Sequence, residues 1–382
     1  MRKTLKTLLV LMTLLLVVEL AFVGYMLYTE KQAGEATQPP VIQTTEAPET
    51  TTEAPTTVPE TTEAPTTIPP EPEVFTLTFT GDFTPGCKPG QEKNPKSYLG
   101  TVGDDYEFPF ANLRDIFSTD DFTFINMEVV LGKVGKQANK TFVFYGPEEY
   151  VQIMTSSSVE AVTLANNHTE DFGIEGYENT KRVLDENDVV YVEEDKTTLY
   201  TTSSGLVIGL YADSFDFVES EVRENVADLE ERGAEIIICA FHWGTEGAYR
   251  HNDKQTRYAH AAIDAGAHIV VGNHPHVLQE MEVYNGGLIF YSLGNFSFGG
   301  NNSPKDYDSA VVQQQVIREY DGTIRLGELT IIPIRISTDP NRNNYQPIPY
   351  EVDSEGYNRV LEKLNGTYSG PNVVPGYDYS KE

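Results

Sequence analysis

The amino-acid sequence predicts an α/β domain in which helices cover sheets and some strands pair antiparallel. Two observations support this prediction. In the middle of the chain, short apolar or β-branched runs alternate with segments of helical spacing, which is typical of β-α-β units. Later in the chain, strand-like runs flank Asn285-Gly286-Gly287 and Asp321-Gly322, and such turn sequences favour β-hairpins.

Strands are predicted where apolar or β-branched residues alternate or run together before turn residues. These segments are Val74–Thr80, Asp121–Met127, Glu160–Leu164, Val189–Glu193, Leu206–Tyr211, Glu235–Phe241, His268–Val271, Glu280–Tyr284, Leu288–Tyr291, Val311–Glu319 and Thr323–Arg335. Helices are predicted at Gly176–Asn187, Val218–Arg232 and about Asp253 to Ala265. The last two end at a glycine, a common helix terminator.

The N-terminus predicts a membrane anchor. Arg2, Lys3 and Lys6 precede an apolar run from Leu8 to Tyr28, and a run of about 20 residues is long enough to cross a bilayer as a helix. The basic flank favours a cytoplasmic N-terminus, with the rest of the chain exported. A cleaved signal peptide is the alternative, but no clear small-residue cleavage pattern follows the run. We therefore expect a single-pass protein of the cell membrane whose folded domain is extracytoplasmic.

The next segment changes to threonine, proline and glutamate, and the unit Thr-Thr-Glu-Ala-Pro recurs in it. Such a segment has little apolar surface to bury, which is typical of a disordered, extended stalk. The predicted organisation therefore has four parts. They are a cytoplasmic N-terminus and transmembrane anchor at 1–32, a disordered linker at 33–73, a folded domain at 74–338 and a partly disordered C-terminal extension at 339–382.

Charge and cysteine content exclude some classes of protein. The chain has 58 acidic and 27 basic residues and a net charge of −31, so its surface repels nucleic acid, and no nucleic-acid partner is expected. Its 2 cysteines are too few for a disulfide scaffold. Cys239 lies in an apolar run, which predicts a buried thiol, while a bridge to Cys87 stays open.

Polar residues that bind metals follow the carboxyl ends of five predicted strands. They are Asp82, Glu128, Asn167, His168, His242, His274 and His276. Each one alone has an ordinary structural interpretation, such as a turn, a strand end or a core histidine. Together they point to one site, because ligands of α/β sheets bind beyond the carboxyl ends of the strands.

The mixture of side chains favours a metal centre. Imidazole suits zinc, iron and manganese, and carboxylates suit harder ions such as manganese and magnesium. The expected cofactor is therefore one or two divalent ions of Mn, Fe, Zn or Mg. Two ions would clamp a phosphoryl-type oxygen and produce a nucleophile near neutral pH. No cysteine belongs to the set, which excludes a structural zinc finger.

Six motifs resemble those of the CapA family of poly-γ-glutamate capsule proteins, in order and in spacing, from about Phe75 to Ile334. The motifs are Gly81-Asp82, Asn126-Met127-Glu128, Asn166-Asn167-His168-Thr169-Glu170-Asp171, His242-Trp243-Gly244-Thr245-Glu246, Gly272-Asn273-His274-Pro275-His276 and Tyr291-Ser292-Leu293-Gly294-Asn295-Phe296. That family is similar to the calcineurin-like metallophosphoesterases. The resemblance implies their four-layer fold, with two sheets packed between helices.

The resemblance also implies roles for the site residues. Asp82 and His276 resemble ligands of a first metal pocket, and Glu128 stands where the phosphoesterases have a bridging aspartate. The implied ligands of the second pocket are Asn167, His242 and His274. His168 resembles the histidine near the leaving group, a candidate general acid.

Some positions depart from the phosphoesterase pattern. Thr84 stands where a histidine ligand is usual, so the first pocket lacks one ligand. Glu246 and Asp171 are further candidates, able to orient a ligand imidazole, although a solvated loop position is the commoner role for such carboxylates. Tyr291–Phe296 is expected to shape the floor of the site.

We therefore expect a membrane-anchored protein that acts in synthesis, release or attachment of poly-γ-glutamate or a related anionic polymer, through a metal-dependent hydrolase or transferase site. Subunits of a membrane polymer synthase are further expected partners. Two alternatives stay open. One is a metal-dependent phosphodiesterase or phosphatase, and Thr84 weighs against it. The other is a non-catalytic assembly factor for a membrane synthase, which the anchor and stalk also fit.

Overall fold

The computed structural model describes residues 71–215 and 217–372. The predicted anchor and nearly all of the predicted linker lie outside these residues. Within the described part of the chain, every helix is too short or too polar to cross a membrane.

The described elements follow the predicted alternation and then the predicted hairpins. The strands are β1 (Glu73–Thr84), β2 (Phe122–Met127), β3 (Val130–Leu131), β4 (Tyr145–Gly146), β5 (Ala161–Thr163), β6 (Val190–Val192), β7 (Lys196–Thr201), β8 (Val207–Ser214), β9 (Ile236–His242), β10 (Ile269–Asn273), β11 (Met281–Tyr284), β12 (Gly287–Phe290), β13 (Asn295–Phe298), β14 (Asp308–Arg318), β15 (Ile324–Arg335) and β16 (Ile348–Pro349). The α-helices are α1 (Tyr98–Val102), α2 (Arg114–Phe117), α3 (Val151–Thr155), α4 (Gly173–Asp185), α5 (Glu219–Glu231), α6 (Asp253–Asp264) and α7 (Glu355–Leu364).

The strands form two large sheets. The first is 8-stranded, in the order β16-β15-β14-β1-β2-β5-β6, with β13 also paired to β1. The second is 6-stranded, in the order β11-β12-β10-β9-β8-β7. In each sheet the central pairs that carry predicted site residues, β1 with β2 and β9 with β10, are parallel. Their carboxyl ends therefore lie at one edge of their sheet.

Three apolar clusters define the layers. One joins side chains of both sheets, including Phe79 of β1 and Ile238 of β9, and fills the space between them. A second covers the outer face of the first sheet and includes Ile153 and Leu184 of α3 and α4. A third covers the outer face of the second sheet and includes Val226 of α5. The mixed α/β fold is thus confirmed, with helices outside two packed sheets.

Helices α5 and α6 form because apolar residues recur on one face and a cap satisfies the first turn. In α5 the buried residues are Val222, Val226 and Leu229, at helical spacing. The N-cap of α6 is Asn252, whose side chain accepts from two backbone N–H groups, while the Gln255 side chain bonds back. This reciprocal cap fixes the start of the helix that follows the His242 loop.

The folded domain continues beyond residue 338. Strand β16 pairs with β15, and Val360 and Leu364 of α7 are buried in the cluster between the sheets. Part of the segment that the sequence separated as an extension therefore belongs to the core. Within residues 71–215 and 217–372, each predicted strand and helix has a counterpart, with ends shifted by a few residues. Cys87 and Cys239 are both buried free thiols.

Candidate metal centre

The predicted site residues meet at the edge where the two sheets present the carboxyl ends of their parallel strands. Asp82 lies in β1 opposite Asn126 of β2, and His242 ends β9 opposite Asn273 of β10. The first sheet brings carboxylates and amides to this edge, and the second brings imidazoles. Since both sets end at one edge, the site lies between the sheets.

Asp82 is held by close backbone packing. A side chain at the preceding Gly81 would place its Cβ 1.9 Å from the carbonyl oxygen of Gly294, so only glycine permits this approach. The Asp82 N–H donates to the same oxygen at 2.8 Å. The predicted floor segment therefore fixes the backbone of the first carboxylate.

The loop after β10 is strained where it carries the two histidines. His274 and His276 have φ values of 94° and 56°, a region that non-glycine residues rarely adopt and that is common at functional sites. Neighbouring groups hold this conformation. The His274 N–H donates to Asp82 Oδ2 at 3.3 Å, and Asn295 Nδ2 donates to the carbonyl oxygen of His276 at 3.1 Å.

Four donor atoms converge in the predicted second pocket. His242 Nε2 lies 2.9 Å from Asn167 Oδ1 and 3.1 Å from His274 Nδ1. It also lies 3.6 Å from Glu128 Oε1. Two ligands held 2.0–2.2 Å from one ion are about 3 to 4.4 Å apart, so these separations match the edges of a coordination polyhedron.

The predicted first pocket is built from carboxylates and one imidazole. Single atoms of Asp82, Glu128 and His276 all lie within 4.8 Å of one another. His276 Nδ1 lies 3.1 Å from Asp82 Oδ2. On its other side, His276 Nε2 lies 3.9 Å from Glu246 Oε1. Glu246, His274 and His276 make a second group within the same 4.8 Å limit.

Glu128 lies between the pockets and is the least satisfied group of the site. It is 0% exposed, and neither carboxylate oxygen has a hydrogen-bond partner among the described residues. Burial, reinforced by the neighbouring Asp82 carboxylate, raises its pKa well above the ordinary value. A buried, unbonded carboxylate is costly unless a cation compensates it.

The imidazoles have different electrostatic surroundings. Burial lowers the pKa of His242 and of His274, and neighbouring histidines lower it further. Burial alone would also lower the pKa of His276, but the Glu128 and Asp82 carboxylates raise it to about 10. Neutral imidazole is the metal-binding form, so His242 and His274 are ready to bind, whereas binding by His276 releases a proton.

His168 is oriented by a buried carboxylate. Its Nδ1 lies 2.8 Å from Asp171 Oδ2, and its Nε2 lies 3.9 Å from Glu128 Oε1, so Nε2 faces the metal pocket. Asp171 is 0% exposed and also pairs with Lys140. The interpretation of Asp171 as a solvated loop carboxylate is therefore wrong; it orients the predicted general acid. Burial lowers the pKa of His168, although Asp171 opposes this.

These residues fit a divalent metal. The donor set contains imidazole nitrogens and carboxylate and amide oxygens, and the donor atoms have the separations that ligands of one ion have. The bare Glu128 oxygens are the strongest indication, because a bound cation would satisfy both. The structure brings all seven predicted residues to one place, and their individual roles as ligands stay predictions.

Other residues of the site were not assigned a role from the sequence. Asn126 Nδ2 donates to Asp82 Oδ1 at 2.8 Å, and Asn166 Nδ2 donates to Asn126 Oδ1 at 3.1 Å. Their signal was position, since each lies one or two residues before a predicted ligand. Lys140 and Phe215, whose ring meets His274 edge-on with centroids 4.8 Å apart, lie in loops and had no such signal.

Sequence comparisons place these motifs in a known family. The model of the family described as "Bacterial capsule synthesis protein PGA_cap" matches residues 76–300. The chain is 31% identical to the PGA biosynthesis protein CapA of Bacillus subtilis (strain 168) over 321 residues, covering 76% of this chain and 78% of that protein. It is 28% identical to the capsule biosynthesis protein CapA of Bacillus anthracis, covering 77% of this chain and 74% of that protein.

More distant relatives were also found. A Mycobacterium tuberculosis protein described as a "probable polyglutamine synthesis accessory protein" is 24% identical, covering 71% of this chain and 79% of that protein. Among solved structures, the calcineurin-like phosphoesterase YfkN from Bacillus subtilis aligns over 78% of this chain and 98% of its own, at a TM-score of 0.43 and 11% identity.

Proposed function

The chain belongs to the bacterial capsule synthesis protein family PGA_cap, and from this premise we propose that it acts in synthesis, release or attachment of poly-γ-glutamate or a related cell-envelope polymer. Its chemistry is that of a metal-dependent hydrolase or transferase. The observation that carries the proposal is the convergence of strand-end ligands around the bare Glu128 carboxylate. Most buried polar groups in folded proteins are hydrogen-bonded, so a buried carboxylate with neither oxygen bonded points to a bound cation.

Asn167, His242, His274 and Glu128 would hold one divalent ion, and Asp82, Glu128 and His276 would hold a second. Such ions, when bound, polarise a carbonyl or phosphoryl oxygen and acidify an attacking water or amine. Glu128 would contribute to both pockets, since neither of its oxygens has a hydrogen-bond partner among the described residues.

Proton transfer belongs to His168. Its Nε2 faces the pocket, 3.9 Å from Glu128 Oε1, while the Asp171 carboxylate fixes the ring at Nδ1. As the predicted general acid, His168 Nε2 would give its proton to the leaving atom, and the attacking water or amine would return a proton to the ring. Asp171 and Lys140 keep the ring in this orientation, as the third member of a catalytic triad orients its base.

The setting of the site follows from the sequence. An uncleaved anchor at residues 1–32 and a stalk at 33–73 would hold the domain outside the cell membrane, near a synthase that exports the polymer. The chain carries a net charge of −31, so bound cations would reduce repulsion of an anionic polymer.

A second candidate function is that of a non-catalytic assembly factor. It is favoured by the Mycobacterium tuberculosis relative, whose name describes an accessory protein. In that case the metal would stabilise a domain that holds the synthase or guides the polymer. The metal-binding residues would then be needed only for the stability of the fold.

The test is complementation of a deletion strain with the full-length chain or with His242→Ala. We expect His242→Ala to lower the metal content of the purified chain and to reduce polymer output to the level of the deletion strain. The substitution removes the imidazole whose Nε2 lies nearest the other three donor groups of the second pocket. Bound metal is measured by elemental analysis. The polymer is hydrolysed, and the glutamate that is released is measured by chromatography.

The matched control is His260→Ala. His260 lies on α6, stacks on Tyr284 and contacts Glu282, so metal content and polymer output should stay at the wild-type level. Full polymer output from a folded, metal-depleted His242→Ala chain would select the assembly factor. Full metal content and full output together would overturn both the site and its chemistry.

A further inference from the structure

Asn166 directly precedes the implied ligand Asn167 and the predicted general acid His168. We infer that Asn166 is a positioning residue, whose side chain holds this loop against the end of β2, next to Glu128. The inference rests on the proposed metal-dependent function. It adds to that function the group that sets the distance between the loop after β5 and the end of β2.

Backbone pairing between β2 and β5 ends before it reaches the site. The last paired residues are Asn126 of β2 and Thr163 of β5. Glu128 follows two residues after the first of these, and Asn167 follows four residues after the second. Because the hydrogen bonds of a strand pair act only on paired residues, other contacts are needed to hold the two chain segments together at the site.

The Asn166 side chain spans this gap. Its Nδ2 donates to the carbonyl oxygen of Met127 at 3.0 Å and to Asn126 Oδ1 at 3.1 Å, both at the end of β2. Its Oδ1 accepts from the His168 N–H at 3.0 Å and from Thr169 Oγ1 at 3.2 Å, both in the loop after β5. The amide thus uses both of its donors and both of its acceptor positions, and the residue is 5% exposed.

The bridge joins two peptide groups that lie next to site residues. The Met127 carbonyl belongs to the peptide bond before Glu128, and the His168 N–H belongs to the peptide bond after Asn167. In this arrangement Asn167 Oδ1 lies 2.9 Å from His242 Nε2, and His168 Nε2 lies 3.9 Å from Glu128 Oε1. The Glu128 carboxylate has no hydrogen-bond partner among the described residues, so it does not itself hold the loop in place.

The experiment measures manganese binding by four full-length chains, which are the wild type, Asn166→Ser, Asn167→Ala and the double variant. Serine keeps an acceptor for the His168 N–H, but it is too short to reach β2. Free Mn²⁺ is detected by electron paramagnetic resonance during a titration. We expect Asn167→Ala to weaken one bound equivalent and Asn166→Ser to weaken one equivalent about 10-fold, as residues that orient a ligand do.

The double variant tests whether Asn166 acts through Asn167. If it does, the double variant should bind manganese no more weakly than Asn167→Ala alone, because the two substitutions remove the same interaction. Asn166→Asp guards against loss of the fold in Asn166→Ser. It keeps the size and the Oδ1 acceptor but lacks both donors, so it should also weaken one equivalent, although it adds a negative charge.

Asn343→Ser is the matched control. Asn343 is 0% exposed, and its Oδ1 accepts from the Tyr345 N–H, two residues later, at 2.9 Å. Its Nδ2 donates to the carbonyl oxygens of Phe298 and Asn301. The substitution leaves backbone groups unbonded as Asn166→Ser does, so denaturant unfolding should show a similar loss of stability. Its affinity for both equivalents should stay at the wild-type value.

Three results would overturn the inference while the proposed function stands. The first is wild-type affinity in Asn167→Ala, Asn166→Ser or Asn166→Asp. The second is a double variant weaker than Asn167→Ala by the full factor seen for Asn166→Ser, because Asn166 would then act independently of Asn167. The third is an equal loss of affinity in Asn343→Ser, which would be a general effect of lost stability. If the wild-type chain binds no metal, the proposed function itself fails.

Discussion

Among the described residues, the buried charges at the C-terminal helix and those at the candidate metal centre differ in how well they are paired. At the C-terminal helix, Lys363 Nζ lies 2.6 Å from Asp306 Oδ2 and 2.7 Å from Asp308 Oδ2, and the Arg359 guanidinium makes two bonds to Asp308. Tyr350 also donates to Asp308. At the candidate metal centre, by contrast, Glu128 is equally buried and has no hydrogen-bond partner among the described residues.

The contrast separates a structural cluster from a functional one. In the first, burial would raise the pKa of Asp308, but Arg359 and Lys363 reverse this and hold it below the ordinary value. In the second, burial and Asp82 raise the pKa of Glu128 well above the ordinary value. A carboxylate whose partners are inside the chain stabilises the fold, whereas one that lacks them requires an ion from outside.

The largest expected effect on stability comes from breaking the paired cluster. Lys363→Met keeps the apolar length of the side chain but leaves the buried carboxylates of Asp306 and Asp308 with one cation fewer. We expect the free energy of unfolding to fall by about 3 kcal/mol, because removing one partner of a buried pair leaves uncompensated charge. Denaturant unfolding of the full-length chain measures this change.

Arg182→Met is the matched control, because Arg182 pairs with Glu148 and Glu186 at the surface of the domain. Exposed ion pairs contribute little to the free energy of unfolding. The denaturant midpoint of Arg182→Met should therefore stay close to that of the wild-type chain. If Lys363→Met and Arg182→Met lower the free energy of unfolding equally, the buried cluster contributes no more to stability than an exposed ion pair.

The opposite change is expected at the metal centre. Glu128→Gln removes a buried charge that lacks a partner, so the metal-free chain should become more stable, by about 1–2 kcal/mol. The same variant should lose most of the stabilisation that added manganese gives the wild-type chain, which for ligand at 100 times its dissociation constant is about 2.7 kcal/mol. Unfolding with chelator and with manganese separates the two effects.

A destabilised metal-free Glu128→Gln chain would contradict the comparison, because it would mean that the carboxylate has partners within the fold. Lys363→Met is the complementary control in this measurement. Lys363→Met should unfold at a lower denaturant concentration than the wild-type chain, both with chelator and with manganese. The stabilisation by manganese should stay near the wild-type value. Glu128→Gln thus removes most of the stabilisation by manganese, whereas Lys363→Met leaves that stabilisation unchanged.

The sequence predicted the fold well where local patterns decide it and poorly where distant residues do. Strands β9 and β10 are continuous apolar runs with turns after them, so their position and their end were readable. Helix α7 was missed because its buried Lys363 reads as a surface residue. Only the fold brings the Asp308 carboxylate beside it, from 55 positions earlier in the chain.

The same distinction holds for the metal centre. Asp82, Glu128 and the histidines were readable because each follows a predicted strand, and parallel strands bring their ends together. Lys140 was not, since a loop residue has no periodicity to place it, and its contact with Asp171 depends on how two loops fold. Whether Glu246 faces solvent or His276 also depends on that folding, and the structure decides it.

Glu160 offers an intermediate case, with the smallest expected effect. It precedes β5, and its Oε2 accepts one bond, from the Thr123 N–H at 2.7 Å. Burial and the nearby Asp120 raise its pKa to about 7. A carboxyl group with a raised folded-state pKa stabilises the fold below its ordinary pKa, and this contribution is lost as the pH rises through about 7.

Glu160→Gln stays neutral and keeps an oxygen acceptor, so between pH 5 and pH 7.5 it should lose less stability than the wild-type chain. The expected difference is on the order of 1 kcal/mol after allowing for solvent exposure. Denaturant unfolding at both pH values measures it, and Glu224→Gln, exposed on α5, should reproduce the wild-type slope. If Glu160→Gln instead has the pH dependence of the wild-type chain, the single hydrogen bond from Thr123 is enough to keep the Glu160 carboxylate charged in the fold. The number of hydrogen bonds, one at Glu160 and none at Glu128, would then be what separates the two carboxylates.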